Sequence, residues 1–169
     1  IPGGIRMMFG LSLHAFTLLH TAISLVGIAA GVVFFAALTT GRWRPTANLI
    51  FLIFTILTSV TGFLFPPKPI GPPFIFGVVS LLLLAVALAA LYGGKLQGWS
   101  RPTYLVTALL AQWLNMVVLV VQSYQKIPPL HALAPTGGEP AVLVSQAVVL
   151  ALVGYVAWRT LFARTALRG

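Results

Sequence analysis

The chain contains no cysteine and no aspartate, and Glu139 is its only glutamate. The missing thiols exclude disulfides, thiolate metal sites, iron–sulfur ligation and cysteine nucleophiles. A lone carboxyl group excludes paired-carboxylate acid–base catalysis and the carboxylate cages that hold magnesium or calcium. Nor does the sequence contain a Gly-x-Ser-x-Gly elbow, a His-Glu-x-x-His helix or a phosphate-binding Walker loop, so an enzymatic role has little support. Charge of either sign is scarce: 7% of residues are Asp, Glu, Lys or Arg, against roughly a quarter in a soluble domain.

Apolar side chains are abundant, at 59% of 169 residues. They form runs at 11–38, 47–65, 74–92, 103–125 and 141–162, each near or above the ~20 residues that cross ~30 Å of hydrocarbon. The expected fold is therefore all-α, one integral membrane domain over 1–169 built as a bundle of five transmembrane helices. The breaks between runs consist of helix-stopping residues: Gly41 and Pro45, then five prolines between 66 and 73, then Gly93-Gly94 and Pro102. The proline-rich break is expected to be a stiff extended connector. Residues 126–140 form the longest break and are the only one of a size to act as a lid.

Ten Lys and Arg give a formal charge of +9. In a soluble chain this excess would suggest nucleic acid; on short loops between apolar runs it sets topology and meets anionic headgroups, and no nucleic-acid partner is expected. Arg42, Arg44, Lys95, Arg101, Arg159, Arg164 and Arg168 fall on one face, with Arg6, Lys68 and Lys126 on the other. The basic excess places the N-terminus outside and the C-terminus in the cytoplasm. Residues 1–6 lack the features of a signal peptide. Because the chain begins at Ile1, either residues precede it or the natural start is Met7 or Met8.

In lipid the informative residues are polar ones within spans, because they turn towards protein or water. On the first span His14, Thr17, His20, Thr21, Ser24, Gly27 and Gly31 share about 140° of arc. Gly27 and Gly31 make a GxxxG pair, expected to pack helix on helix within the chain or in self-association. On the fourth span Gln112, Asn115 and Gln122 share one face, and Lys126 continues the same line. With the orientation above, His14 and His20, Gln122, and Gln146 of the fifth span all fall in the outer half, under the loop that holds His131 and Glu139. A polar pocket open to the outside is expected there, lined by His14, His20, Gln122 and Gln146 and lidded by 126–140. The ligand-binding candidates are His14, His20, Gln112, Asn115, Gln122, His131 and Gln146.

Haem is one ligand considered for this pocket. His14 and His20 lie six residues apart on one helix, ~9 Å along its axis, and cannot sandwich one iron, so His131 would have to supply the second ligand. Copper or zinc held by His14, His131, Glu139 and the Met7-Met8 pair is conceivable on ligand type, without a recognised spacing. A quinone, a lipid or a small solute needs only an apolar slot with a polar anchor.

Residues 58–66 (TSVTGFLFP) and 130–136 (LHALAPT) resemble stretches of small bacterial polytopic membrane proteins. The resemblance implies a bacterial source, and with it the bacterial cytoplasmic (inner) membrane, and carries no activity. The leading expectation is a non-enzymatic accessory or structural subunit of a larger membrane assembly, in contact with lipids and other membrane protein subunits. The alternative is a small-molecule binding or transport protein that uses the outward pocket.

Overall fold

The computed structural model describes residues 7–8, 10–66 and 70–162. Arg6, Lys68, Arg164 and Arg168, the side chains of Met7 and Met8, and positions 67–69 of the proline-rich connector lie outside the described residues. A minimal antiparallel hairpin, β1 (Met7–Met8) and β2 (Leu11–Ser12), leads into the bundle. Six α-helices follow: α1 (Leu13–Thr39), α2 (Pro45–Phe63), α3 (Pro72–Leu88), α4 (Ser100–Lys126), the short α5 (Pro128–Leu133) and α6 (Pro140–Leu161). All but α5 are long and apolar enough to cross a membrane, α3 being continued by a π-helical turn to Gly93. Counting that turn with α3, the shortest of the five is α2, with 19 residues, or about 29 Å at 1.5 Å per residue.

The helix ends follow from local chemistry. Ser12 caps α1, its hydroxyl accepting from the Ala15 amide at 3.2 Å. At the other end Gly41 adopts φ +77°, and the amides of Gly41 and Arg42 return to Leu38 O and Ala37 O at 3.0 Å. Only glycine takes that left-handed conformation without strain, so α1 stops there and the chain turns within five residues into α2. Proline occupies the first turn of α2, α3, α5 and α6, where its fixed φ suits the helix and its missing N–H goes unneeded.

Side-chain pairs fix how the helices run. Arg159 near the end of α6 donates to Thr39 O at the end of α1, and Tyr104 at the start of α4 bonds Asn48 at the start of α2. His20 near the start of α1 meets Thr61 near the end of α2, and Tyr124 near the end of α4 meets Ala141 at the start of α6. The Arg42, Arg44 and Arg159 positions thus share one end of the bundle; His20, Lys126 and Glu139 share the other. At the arginine end Phe34 stacks edge-on against Phe35 and Trp43, at 5.1 and 5.0 Å. Together with Phe51 and Tyr104, Phe34 and Phe35 belong to the hydrophobic core, and Trp43 packs against it half-buried.

α4 is the central element, with seven of its 27 residues buried against three of 22 in α6. Its side chains bond α1, α2 and α6, and it packs along α3. The small residues Ala108 and Ala111, both fully buried, let these neighbours approach its backbone.

Candidate functional site

The hydroxyls on the spans are largely satisfied by their own helices. Thr17, Thr21 and Ser24 of α1 donate to the carbonyls four residues earlier at 2.8 Å. Thr58, Ser59 and Thr61 of α2 do the same at 2.7 to 3.1 Å. Such back-bonding removes the cost of a hydroxyl in an apolar medium and leaves little donor capacity for a ligand.

The amides and imidazoles instead join one helix to another. Gln112, 4% exposed, donates through Nε2 to Ile28 O of α1 at 3.1 Å. Its carbonyl oxygen is buried and bonds nothing among the described residues. The carboxamide sits in the notch left by Gly31, where any Cβ would collide with it and would also lie 2.9 Å from the Phe51 ring. One turn earlier, Gly27 brings the α1 backbone against α2: a Cβ there would stand 3.2 Å from Phe54 Cβ and 3.3 Å from the Thr55 amide nitrogen. Asn115 donates to Thr55 Oγ1 at 3.3 Å, joining α4 to α2.

Towards the other end, His20 Nδ1 lies 2.7 Å from Thr61 Oγ1. The Thr61 hydroxyl donates its own proton to Leu57 O, so it accepts from His20, and Nδ1 carries the ring proton. Phe65 covers the imidazole edge-on at 5.2 Å. Gln146 donates to Val117 O at 3.1 Å, and Tyr124 donates to Ala141 O at 3.2 Å with Ser145 Oγ at 3.0 Å, which together pin α6 to α4.

Four of the seven ligand-binding candidates therefore lie in separate seams, and the other three lie outside them. Gln112 lies between α4 and α1, Asn115 between α4 and α2, His20 between α1 and α2, and Gln146 between α6 and α4. Gln122 is half-buried two turns along α4 from Asn115, and His14 is exposed on α1. His131 lies on α5, which forms part of the long break, and its Nδ1 donates to Tyr124 O at 3.3 Å. Glu139 accepts from the Thr136 amide at 2.9 Å and its hydroxyl at 2.8 Å. These donors, the Thr136 amide foremost, hold the Glu139 carboxyl below its ordinary range. Among the described residues no three His, Asp or Glu side chains gather into a metal-binding group. His14, His131 and Glu139 are not brought together as metal ligands.

Two pairings escaped the sequence reading. Asn48 and Tyr104 are both buried and bonded to each other across 56 residues of sequence. A signal existed: Asn48 precedes Thr55 by two helical turns and extends the Thr55–Ser59 line towards the start of α2. Arg159 was counted only as a topology marker, yet it closes α6 onto α1.

Two grooves open on the flanks. One of about 330 Å³ lies between α4 and α6 and is lined by Trp113, Val117, Gln146, Ala147 and Leu150. The other, about 860 Å³, lies between α1 and α2 at the arginine end. The outward face of α6 has its own character. Its buried residues, Val142, Val149 and Thr160, form one narrow seam; on the opposite side Ala147, at the lip of the α4–α6 groove, Ala151 and Gly154 are exposed within about 60° of arc. Leu143, Leu150 and Trp158 flank them, all more than half exposed. No protein-family model, curated protein or solved structure matches this chain.

Proposed function

We propose that this chain is a non-enzymatic accessory subunit of a larger membrane assembly, docked to another membrane protein through the outward face of α6. The carrying observation is that face: a 22-residue span, held to its own bundle along one seam, presents Ala147, Ala151 and Gly154 in line on the opposite side. In a bilayer, where lipid tails are as apolar as leucine, helices associate by close backbone packing, and small residues in line are what permit it. The interior points the same way. The side-chain nitrogens of Gln112, Asn115 and Gln146 and the His20 imidazole bond from helix to helix, which favours a scaffold over an outward-opening binding chamber.

The proposed setting is a bacterial cytoplasmic membrane with the N-terminus outside. The clustering of Arg42, Arg44 and Arg159 at one end of the bundle, with Lys95 and Arg101 in the loop and first turn that lead into α4, supports that orientation.

The test is purification from the native membrane in mild detergent, followed by mass spectrometry for companion chains and absorption spectroscopy for pigments. Stoichiometric partners are expected, and Gly154→Leu is expected to release them while leaving the melting temperature of the isolated bundle unchanged. A chain that runs alone and carries a chromophore, quinone or metal would overturn the subunit reading in favour of small-molecule binding.

A further inference from the structure

The groove between α1 and α2 has an apolar floor and a cationic mouth. Ala29 and Val33 of α1 and Ala47 and Ile50 of α2 form the floor, and Arg42 and Arg44 stand at the mouth. Its volume, about 860 Å³, falls within the roughly 300–1,000 Å³ of sites that take small molecules. Along α1 the floor continues to Val26, seven residues or about 10 Å below Val33. The groove therefore runs lengthwise along the bundle from the arginine end, as an acyl chain runs in its leaflet.

Charge decides what fits the mouth. Arg42 and Arg44 are exposed, and the only side-chain carboxylate in the sequence is Glu139, which lies at the opposite end of the bundle and is bonded within its own turn. The two guanidiniums thus have no side-chain carboxylate of their own chain to meet. A guanidinium fork matches a phosphate in shape as well as charge. The chain between the two arginines contributes Trp43, whose ring is anchored on Phe34 at 5.0 Å, so the mouth stands on a packed aromatic base.

We propose that this groove is a binding site for an anionic phospholipid, with the phosphodiester between Arg42 and Arg44 and one acyl chain along Ala29, Val33 and Ile50. Lipid is favoured over a second protein helix because the site is amphipathic along the membrane normal. Its polar end lies at the loop and its apolar end is within the span, and small residues leave the trough between them open.

Native mass spectrometry of the purified chain, supplied with equal amounts of phosphatidylglycerol and phosphatidylcholine, tests this. The wild type is expected to retain phosphatidylglycerol at least fivefold over phosphatidylcholine. In R42Q/R44Q that ratio falls to about one. In K95Q/K126Q, which loses the same charge elsewhere, it persists. Ala29→Phe fills the trough, keeps both arginines and the fold, and is expected to lose the bound lipid. A ratio near one in the wild type, an unchanged ratio in R42Q/R44Q, or an equal fall in K95Q/K126Q would each overturn the site. So would retention of lipid by Ala29→Phe, or cross-linking from position 29 to the helix of a companion protein.

Discussion

Gly31 and Gln112 are fitted to each other across the seam between α1 and α4. The glutamine bonds the α1 backbone with its nitrogen and rests its carbonyl where a side chain at 31 would project. Gly31→Ala therefore forces either the carboxamide or the Phe51 ring to move. Overpacking of this kind costs about 1–3 kcal/mol, and a corresponding fall in thermal stability in detergent is expected. The double variant Gly31→Ala with Gln112→Ala should recover most of the loss, because the new methyl then enters the space the carboxamide has vacated. If the two losses simply add, the notch is not shared. Gly154→Ala, on a position with open space around it, should change stability little and serves as the control. The GxxxG pattern was legible in the sequence, as was the polar face of Gln112 and Asn115. That Gly31 answers to Gln112 was not, because the pairing joins positions some 80 residues apart and depends on which helices are neighbours.

At the scale of elements, the 126–140 segment is more ordered than its proline content suggests. Pro128-Pro129 opens α5 instead of breaking the chain, because proline suits a first turn. Ala134 is then buried, and Glu139 ties the turn that follows to Thr136. The carboxyl binds fewer protons in this turn than in the unfolded chain, since its folded value is depressed. Its contribution is therefore present in full above the ordinary carboxylate range and is lost as the pH falls through the depressed value. An NMR titration of the Thr136 amide should show that acidic transition, with a midpoint below an ordinary glutamate, and Glu139→Gln should abolish it. The five long helices were legible to within two residues at most ends, because bilayer thickness dictates run length and Gly and Pro mark the stops. The polar face of α1 was legible only as a direction: the same stripe ends in the core at Gly27 and Gly31 but at the surface at His14.

Across the whole molecule, burial is uneven. α4 bonds or packs against every other long helix, whereas α6 is held by Tyr124, Gln146 and Arg159 and by a thin line of valines. Local opening follows burial and bonding, so hydrogen exchange on the isolated chain should show α6 opening at lower free energy than α4. Equal protection of the two helices would contradict this picture of a central α4 and a peripheral α6. Docking through α6 would then raise its protection selectively. The candidate site resisted sequence reading for a related reason: depth and face placed the polar residues in one half of the bilayer, but only the helix neighbours decide whether they meet in one chamber or part into separate seams.

The bond from Arg159 to Thr39 O spans 120 residues, and it carries a temporal meaning. The last carbonyls of a helix have no partner within it, and synthesis runs from the N-terminus. The carbonyl end of α1 thus receives this donor only once α6 has been made. A ribosome product cut short between α1 and α6 would present that carbonyl without its guanidinium, a mark by which a bundle lacking α6 differs from one that includes it.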